Sequence, residues 1–279
     1  MRDSDQRQYS KEWLQHERPQ PIYDEDVTAF YDSFYKHNPV HTSSLDQIFK
    51  KNFVSWLDSS TINDIKGLDT FSRIDIIQGC TQFIDDIYQR RGKNVMVFEN
   101  DYKYHSRLNP EIIYTTIDTL DQSKELIISM PFPAVGDNHP NMLQILDRCY
   151  ALNIPVHIDA AWLVCCKNIT FDASHPAIKS IGFSLSKAGL GGNRIGIRLS
   201  HNAAGAISIM NDFNMTPQAL VSMGIEYMAK FKPSHWWDKY GERYDNICAD
   251  FNLVPTNAIH IALYNNQPVG VRCLLRAKL

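Results

Sequence analysis

Between Ile74 and Ser200 the sequence switches repeatedly between short runs rich in β-branched residues and longer stretches with apolar residues at helical spacing. That alternation limits the fold more than any other feature, because parallel strands require crossover connections and helices supply them. The predicted class is α/β, a mostly parallel sheet covered by helices. Strands are predicted at residues 74–78, 94–98, 112–116, 126–130, 154–158, 178–183 and 194–199, several of them apolar on both faces as a covered sheet demands. Helical spacing fills 81–91 and 141–152, with Gly92 and Asn153 placed as stops.

The flanks differ. Residues 1–65 form a polar, helix-leaning N-terminal arm carrying Trp13, Tyr23, Phe30, Tyr31, Phe34 and Tyr35, expected to pack on the domain or on a second subunit. Residues 66–200 make the large domain. Residues 201–279 make a small, reduced C-terminal α+β domain, with helices at 216–230 and 235–250 and a hairpin of 258–264 and 269–275 around 265–268. With 28 Lys plus Arg against 31 Asp plus Glu, the net charge of -3 gives no basic field for nucleic acid or anionic lipid. No apolar run reaches the roughly 20 residues that cross a bilayer. The first thirty residues are polar and acid-rich, unlike a secretory or transit leader, so a cytoplasmic address is expected. Cys80, Cys149, Cys165, Cys166, Cys248 and Cys273 show no CxxC spacing and are expected as reduced thiols, with no metal centre.

Three segments carry chemistry. Ser184-Leu185-Ser186-Lys187-Ala188-Gly189-Leu190-Gly191-Gly192-Asn193-Arg194 places a lysine in a glycine-rich bend between two predicted strands. Glycines allow close backbone approach to a ligand, hydroxyls and Arg194 can hold an anion, and a lysine so placed can be desolvated into a nucleophile. Ile154-Pro155-Val156-His157-Ile158-Asp159 ends a strand on a carboxylate, which points into the crevice where open α/β sheets bind ligands. Gly79-Cys80-Thr81 follows a strand and opens a helix, whose free amides and the Thr81 hydroxyl suit a phosphate. Each segment also has a plainer use: a surface turn, a helix N-cap and an ordinary helix start.

In this order and spacing, the three segments resemble the fold-type I pyridoxal-phosphate enzymes, the aspartate aminotransferase superfamily. The resemblance covers about Arg73 to Ser200 and implies pyridoxal 5'-phosphate as cofactor, held by Lys187 as a Schiff base. It implies that Asp159 pairs with the pyridine nitrogen, while Gly79, Cys80, Thr81, Ser184 and Arg194 bind the phosphate. Tyr102 falls where the family stacks an aromatic ring on the cofactor. Arg272, with Arg276 as the fallback, is the candidate for gripping a substrate carboxylate, and Trp162, the other substrate-binding candidate, stands where relatives carry a tyrosine. Pro133 occupies the place of the family asparagine, a donor that Asn138 could replace. Arg194 follows the lysine one residue sooner than in many relatives, and the region after the lysine loop is short for the family.

The resemblance implies an aminotransferase acting on an amino acid or related primary amine, and a homodimer. Lyase, cyclase or oxidative deaminase chemistry would begin in the same way, with the substrate amine displacing Lys187 and Lys187 removing the α-proton. A cofactor-binding relative without turnover is the alternative from another class.

Overall fold

The structure, a computed structural model, describes residues 22, 24–37 and 45–276. In chain order its elements are α1 (Glu25–His37), α2 (Leu45–Asp58), β1 (Asp64–Lys66), β2 (Arg73–Ile77), α3 (Gly79–Arg91), β3 (Val95–Met96), α4 (Tyr104–Leu108), β4 (Glu125–Ser129), α5 (Met142–Ala151) and β5 (Val156–Ala160). There follow β6 (Thr170–Asp172), β7 (Ile178–Ser184), β8 (Gly196–Ser200), α6 (Gly205–Asp212), α7 (Gln218–Lys230), α8 (His235–Asp250), β9 (Val254–Pro255), β10 (Ile261–Tyr264), β11 (Gln267–Gly270) and α9 (Arg272–Arg276).

The main sheet has the order β2-β8-β7-β5-β4-β3. Strands β7, β5, β4 and β3 pair in parallel, and β8 runs antiparallel to both β7 and β2. β2 therefore points the same way as β7, and the carboxyl ends of β2, β7, β5 and β4 open on one edge. Reversed β8 brings its amino end to that same edge. This geometry gathers the strand-end residues at the crevice where α/β sheets take ligands.

Strand side chains alternate between two cores. Leu126 and Ile128 of β4 join the larger, to which α1, α2, α5, α7 and α8 contribute Phe30, Phe53, Ile145, Tyr227 and Trp236. Ile127 joins the smaller, with Phe83, Ile84 and Ile87 of α3 and Ile207 of α6. Each such buried side chain contributes roughly 1.5–3 kcal/mol relative to exposure. Helix α3 lies close against β7 because Gly182 has no side chain; a Cβ there would sit 2.7 Å from the Phe83 ring. Arg198 of β8, 2% exposed, also ties α3 down, holding Asp75 of β2 at 2.5 Å and Asp86 of α3 at 3.2 Å. Paired in this way, three buried charges fix the helix whose amino end enters the site.

Two predicted strands take another form. Residues 112–116 make only one parallel bridge, Thr115 with Phe98, and β3 is reduced to two residues. The apolar run there is not covered: Ile113 is 78% exposed. The C-terminal hairpin is tighter than the sequence suggested, because Asn265 and Asn266 both adopt positive φ, 49° and 59°, and make a two-residue turn. Its second strand therefore ends at Gly270, and Leu274 and Leu275 are buried from α9 instead.

Helix α6 was not read from the sequence. Phe30 and Phe34 of the arm pack inward, Phe30 standing edge-on to Tyr227 and Phe231 of the body. Trp13 and Tyr23 lie outside the described residues, as do the side chains of Tyr31 and Tyr35. All six cysteines are free. Among the described residues no helix is long and apolar enough to cross a membrane.

Candidate functional site

A cavity of about 200 Å³ opens at the gathered strand ends. Its first wall is the β2–α3 turn. Gly79 opens α3 at φ +75°, and a Cβ there would lie 2.9 Å from Nη2 of Arg194. The glycine is required twice, for its backbone and for the space the guanidinium fills. Arg194 donates from Nε to the Gln78 carbonyl at 3.3 Å and from Nη2 to the Thr81 hydroxyl. A cation and a hydroxyl thus meet at a helix start, where the backbone already favours an anion. Gly79→Ala is expected to destabilise the protein by ~1–3 kcal/mol through the left-handed backbone and the displaced arginine. Urea unfolding measures it, and an unchanged midpoint would remove the packing argument.

The second wall follows β7. Ser184, 1% exposed, donates to the Ser186 hydroxyl at 2.9 Å and accepts from the Ser186 amide at 3.1 Å. The chain then turns through an irregular helix, Ser186–Leu190, relaxed by Gly189 at φ 91° and ended by Gly191 at φ 56°. This turn presents Lys187, whose Nζ lies 5.8 Å from the centre of the Trp162 ring. Lys187, Ser184, Ser186 and Trp162 all line the cavity.

The floor comes from the tips of β5 and β4. Asp159 is 4% exposed and accepts the Ala161 amide at 3.0 Å. Burial pushes its carboxyl up to about 6, against the stabilising Cys80 thiol and Ala161 amide and with the help of the Asp101 charge. Cys80 is itself driven well upward, by burial first and by Asp159 second, so it faces the cavity as a protonated thiol. Ser129 at the end of β4 is the register partner of Asp159. A buried carboxyl at a strand end, shifted in this way by burial, marks a candidate functional group.

Of the residues singled out from the sequence, Cys80, Thr81, Tyr102, Asp159, Trp162, Ser184, Lys187 and Arg194 line this one cavity. Gly79 adjoins it through Arg194. Arg272 is not among the lining residues; it begins α9, half-buried, with its Nε enclosed and lacking a hydrogen-bond partner. Pro133 lines the cavity, but Asn138 does not, its amide being spent on the Thr170 carbonyl at 2.8 Å. The replacement donor considered for Asn138 is therefore not supplied by it. Ser129 and Ser186 escaped the sequence reading. Ser186 was findable, since it precedes the lysine, whereas Ser129 has no local signal beyond ending a strand.

No family model matches the chain, and no curated protein matches its sequence significantly. Solved structures do match. The tyrosine aminotransferase from Leishmania infantum aligns at TM-score 0.64 and 14% identity, covering 93% of this chain and 88% of that one. The aromatic aminotransferase from Pyrococcus horikoshii aligns at TM-score 0.65 and 12% identity, covering 91% and 80%. A PLP-bound C-S lyase from Staphylococcus hominis aligns at TM-score 0.62 and 14% identity, covering 85% and 72%. Likeness at such identities establishes the fold, shared here by a lyase and two aminotransferases.

Proposed function

We propose that this chain, which has the fold of the fold-type I pyridoxal-phosphate enzymes, binds pyridoxal 5'-phosphate and acts on the amino group of an amino acid or related primary amine, with transamination as its reaction. The observation that carries the reading is convergence: Lys187, Asp159 and the nest of Thr81, Ser184 and Arg194 line one cavity. The donor set fits the group. Arg194, Thr81, Ser184 and Ser186, with the amides opening α3, would hold the phosphate. Asp159 would face the ring nitrogen, Tyr102 would offer its ring for stacking, and Lys187 would attach the cofactor covalently.

When bound, pyridoxal phosphate supplies an electron sink for the charge left as a bond at the substrate carbon breaks. The residues of the chain do the rest. Lys187, as a free amine, would take the proton from the substrate carbon onto Nζ and deliver it to the carbon on the other side of the imine nitrogen, the transfer that transamination requires. Asp159 keeps the ring nitrogen protonated by holding a negative charge against it. Trp162, whose ring centre lies 5.8 Å from Nζ of Lys187, would wall the reacting region. Arg272 would be the residue to grip the substrate carboxylate, its buried Nε having no hydrogen-bond partner among the described residues, but it would have to reach the cavity from outside the lining. The same proposal includes a homodimer, a cytoplasmic address, and a division into an arm (1–65), a cofactor domain (66–200) and a small domain (201–279).

A second reading has one observation in its favour. Pro133 leaves the cavity without the family amide, which suits a lyase, cyclase or oxidative deaminase as readily as an aminotransferase. Titration of the cofactor-free protein with pyridoxal phosphate is expected to develop the visible absorbance of a protonated Schiff base, and a panel of amino acids and amines to shift it. Mass identification of a keto acid supports transamination, and of an eliminated or cyclised product the second reading. Absorbance that no amine perturbs leaves a non-catalytic binder, and no absorbance at all overturns the cofactor assignment.

A further inference from the structure

Asp101 lies one layer behind the cavity and was not singled out by the sequence. It follows β3 in a loop, is 6% exposed, and its carboxylate accepts three hydrogen bonds. The Tyr102 amide donates to Oδ1 at 2.6 Å, the Ser129 amide donates to Oδ2 at 3.0 Å, and the Ser129 hydroxyl donates to Oδ1. Both donors' residues line the cavity. Ser129 ends β4 beside Asp159, and the next amide, Met130, donates to the Asp159 carbonyl at 2.9 Å. One buried anion thus joins the loop bearing the Tyr102 ring to the strand tip that flanks Asp159.

We propose that Asp101 is a positioning residue for the ring of the bound cofactor, clamping the Tyr102 loop to the tip of β4 so that the stacking ring and Asp159 keep a fixed separation. The inference rests on the reading of the cavity as a pyridoxal phosphate site. Three donors on a buried carboxylate make a stiff joint, because losing the acceptor would strand two backbone N–H groups away from water. The charge acts as well. The titratable groups that face Asp101 are Tyr88 of α3, His105 of α4, His139 before α5 and Asp159 of β5, and its field makes Asp159 hold a proton more tightly. With a pyridinium beside Asp159, the charge of Asp101 behind the cavity wall would add to that of Asp159 rather than oppose it.

The test compares the full-length wild type with Asp101→Asn and Ser129→Ala. In Asp101→Asn the side-chain amide meets the donors of Ser129 or Tyr102 with a donor of its own. Exchange of the Ser129 and Tyr102 amides in the cofactor-free protein is expected to quicken about tenfold. The dissociation constant for pyridoxal phosphate is expected to rise about tenfold, equal to ~1.4 kcal/mol, and the visible circular dichroism of the bound chromophore to weaken. Ser129→Ala removes one hydroxyl donor and keeps both amides, so a rise of about threefold is expected, near 0.65 kcal/mol; it carries the test if Asp101→Asn does not fold. Unchanged affinity and dichroism in whichever of these variants folds, with the wild type binding normally, overturn the inference alone. A wild type that takes up no pyridoxal phosphate overturns the inference and the cofactor reading together, while amide exchange still reports whether the clamp exists.

Discussion

Lys187→Ala is expected to leave a folded protein that shows no Schiff-base absorbance with pyridoxal phosphate and loses about 10²- to 10⁴-fold in turnover, the range for removing a positioned general base. The loss is total for the covalent bond because no second amine in the lining can replace it. Arg194 is the other cation there, and a guanidinium is not a nucleophile at any accessible pH. Affinity for the cofactor should fall less steeply, since the phosphate nest of Arg194, Thr81 and Ser184 is untouched. Borohydride reduction followed by peptide mapping checks the site directly: the cofactor mass is expected on the peptide containing Lys187. A variant that keeps the absorbance would move the covalent link elsewhere and dissolve the proposed chemistry.

The sequence showed the α/β class because the period switches between strands and helices are governed by local patterning, and β4, β5, β7 and α3 lie within a residue or two of their expected places. It failed where the decisive contacts are remote. The segment 112–116 has strand-forming residues but no neighbour to cover Ile113, and nothing local reveals that. Helix α6 depends on Arg198, Asp75 and Ser208 meeting across the sheet, a pairing set by topology. The site was legible for a different reason: Lys187, Asp159 and Thr81 sit at strand ends, and a mostly parallel sheet brings its strand ends to one edge. Arg194 reaches the same edge only because β8 is reversed, a fact about sheet order that spacing does not contain. Asp101 had no signal at all, since its importance lies in bonds to a strand 28 residues away.

Asp159→Asn should move stability and function in opposite directions. In the cofactor-free protein the carboxyl is fully buried and pushed up to about 6 from 3.8. Its folded-state pKa lies above its unfolded one, so the unfolded chain binds fewer protons between those values and stability falls as pH rises through that window. The loss is complete above pH ~7 and amounts to about 3 kcal/mol at 1.36 kcal/mol per unit. An asparagine escapes this loss. Urea unfolding of the cofactor-free proteins is therefore expected to show little difference near pH 4 and a variant up to about 3 kcal/mol more stable at pH 8. With the cofactor bound the order reverses, because the wild-type carboxylate gains a pyridinium partner that asparagine cannot match, and turnover in the variant is expected to fall roughly 10²- to 10³-fold. A cofactor-free variant less stable than wild type at pH 8 would mean that Asp159 is satisfied without a ligand. The carboxylate would then be a structural ion, and the cavity would lose the feature that calls for a protonated ring.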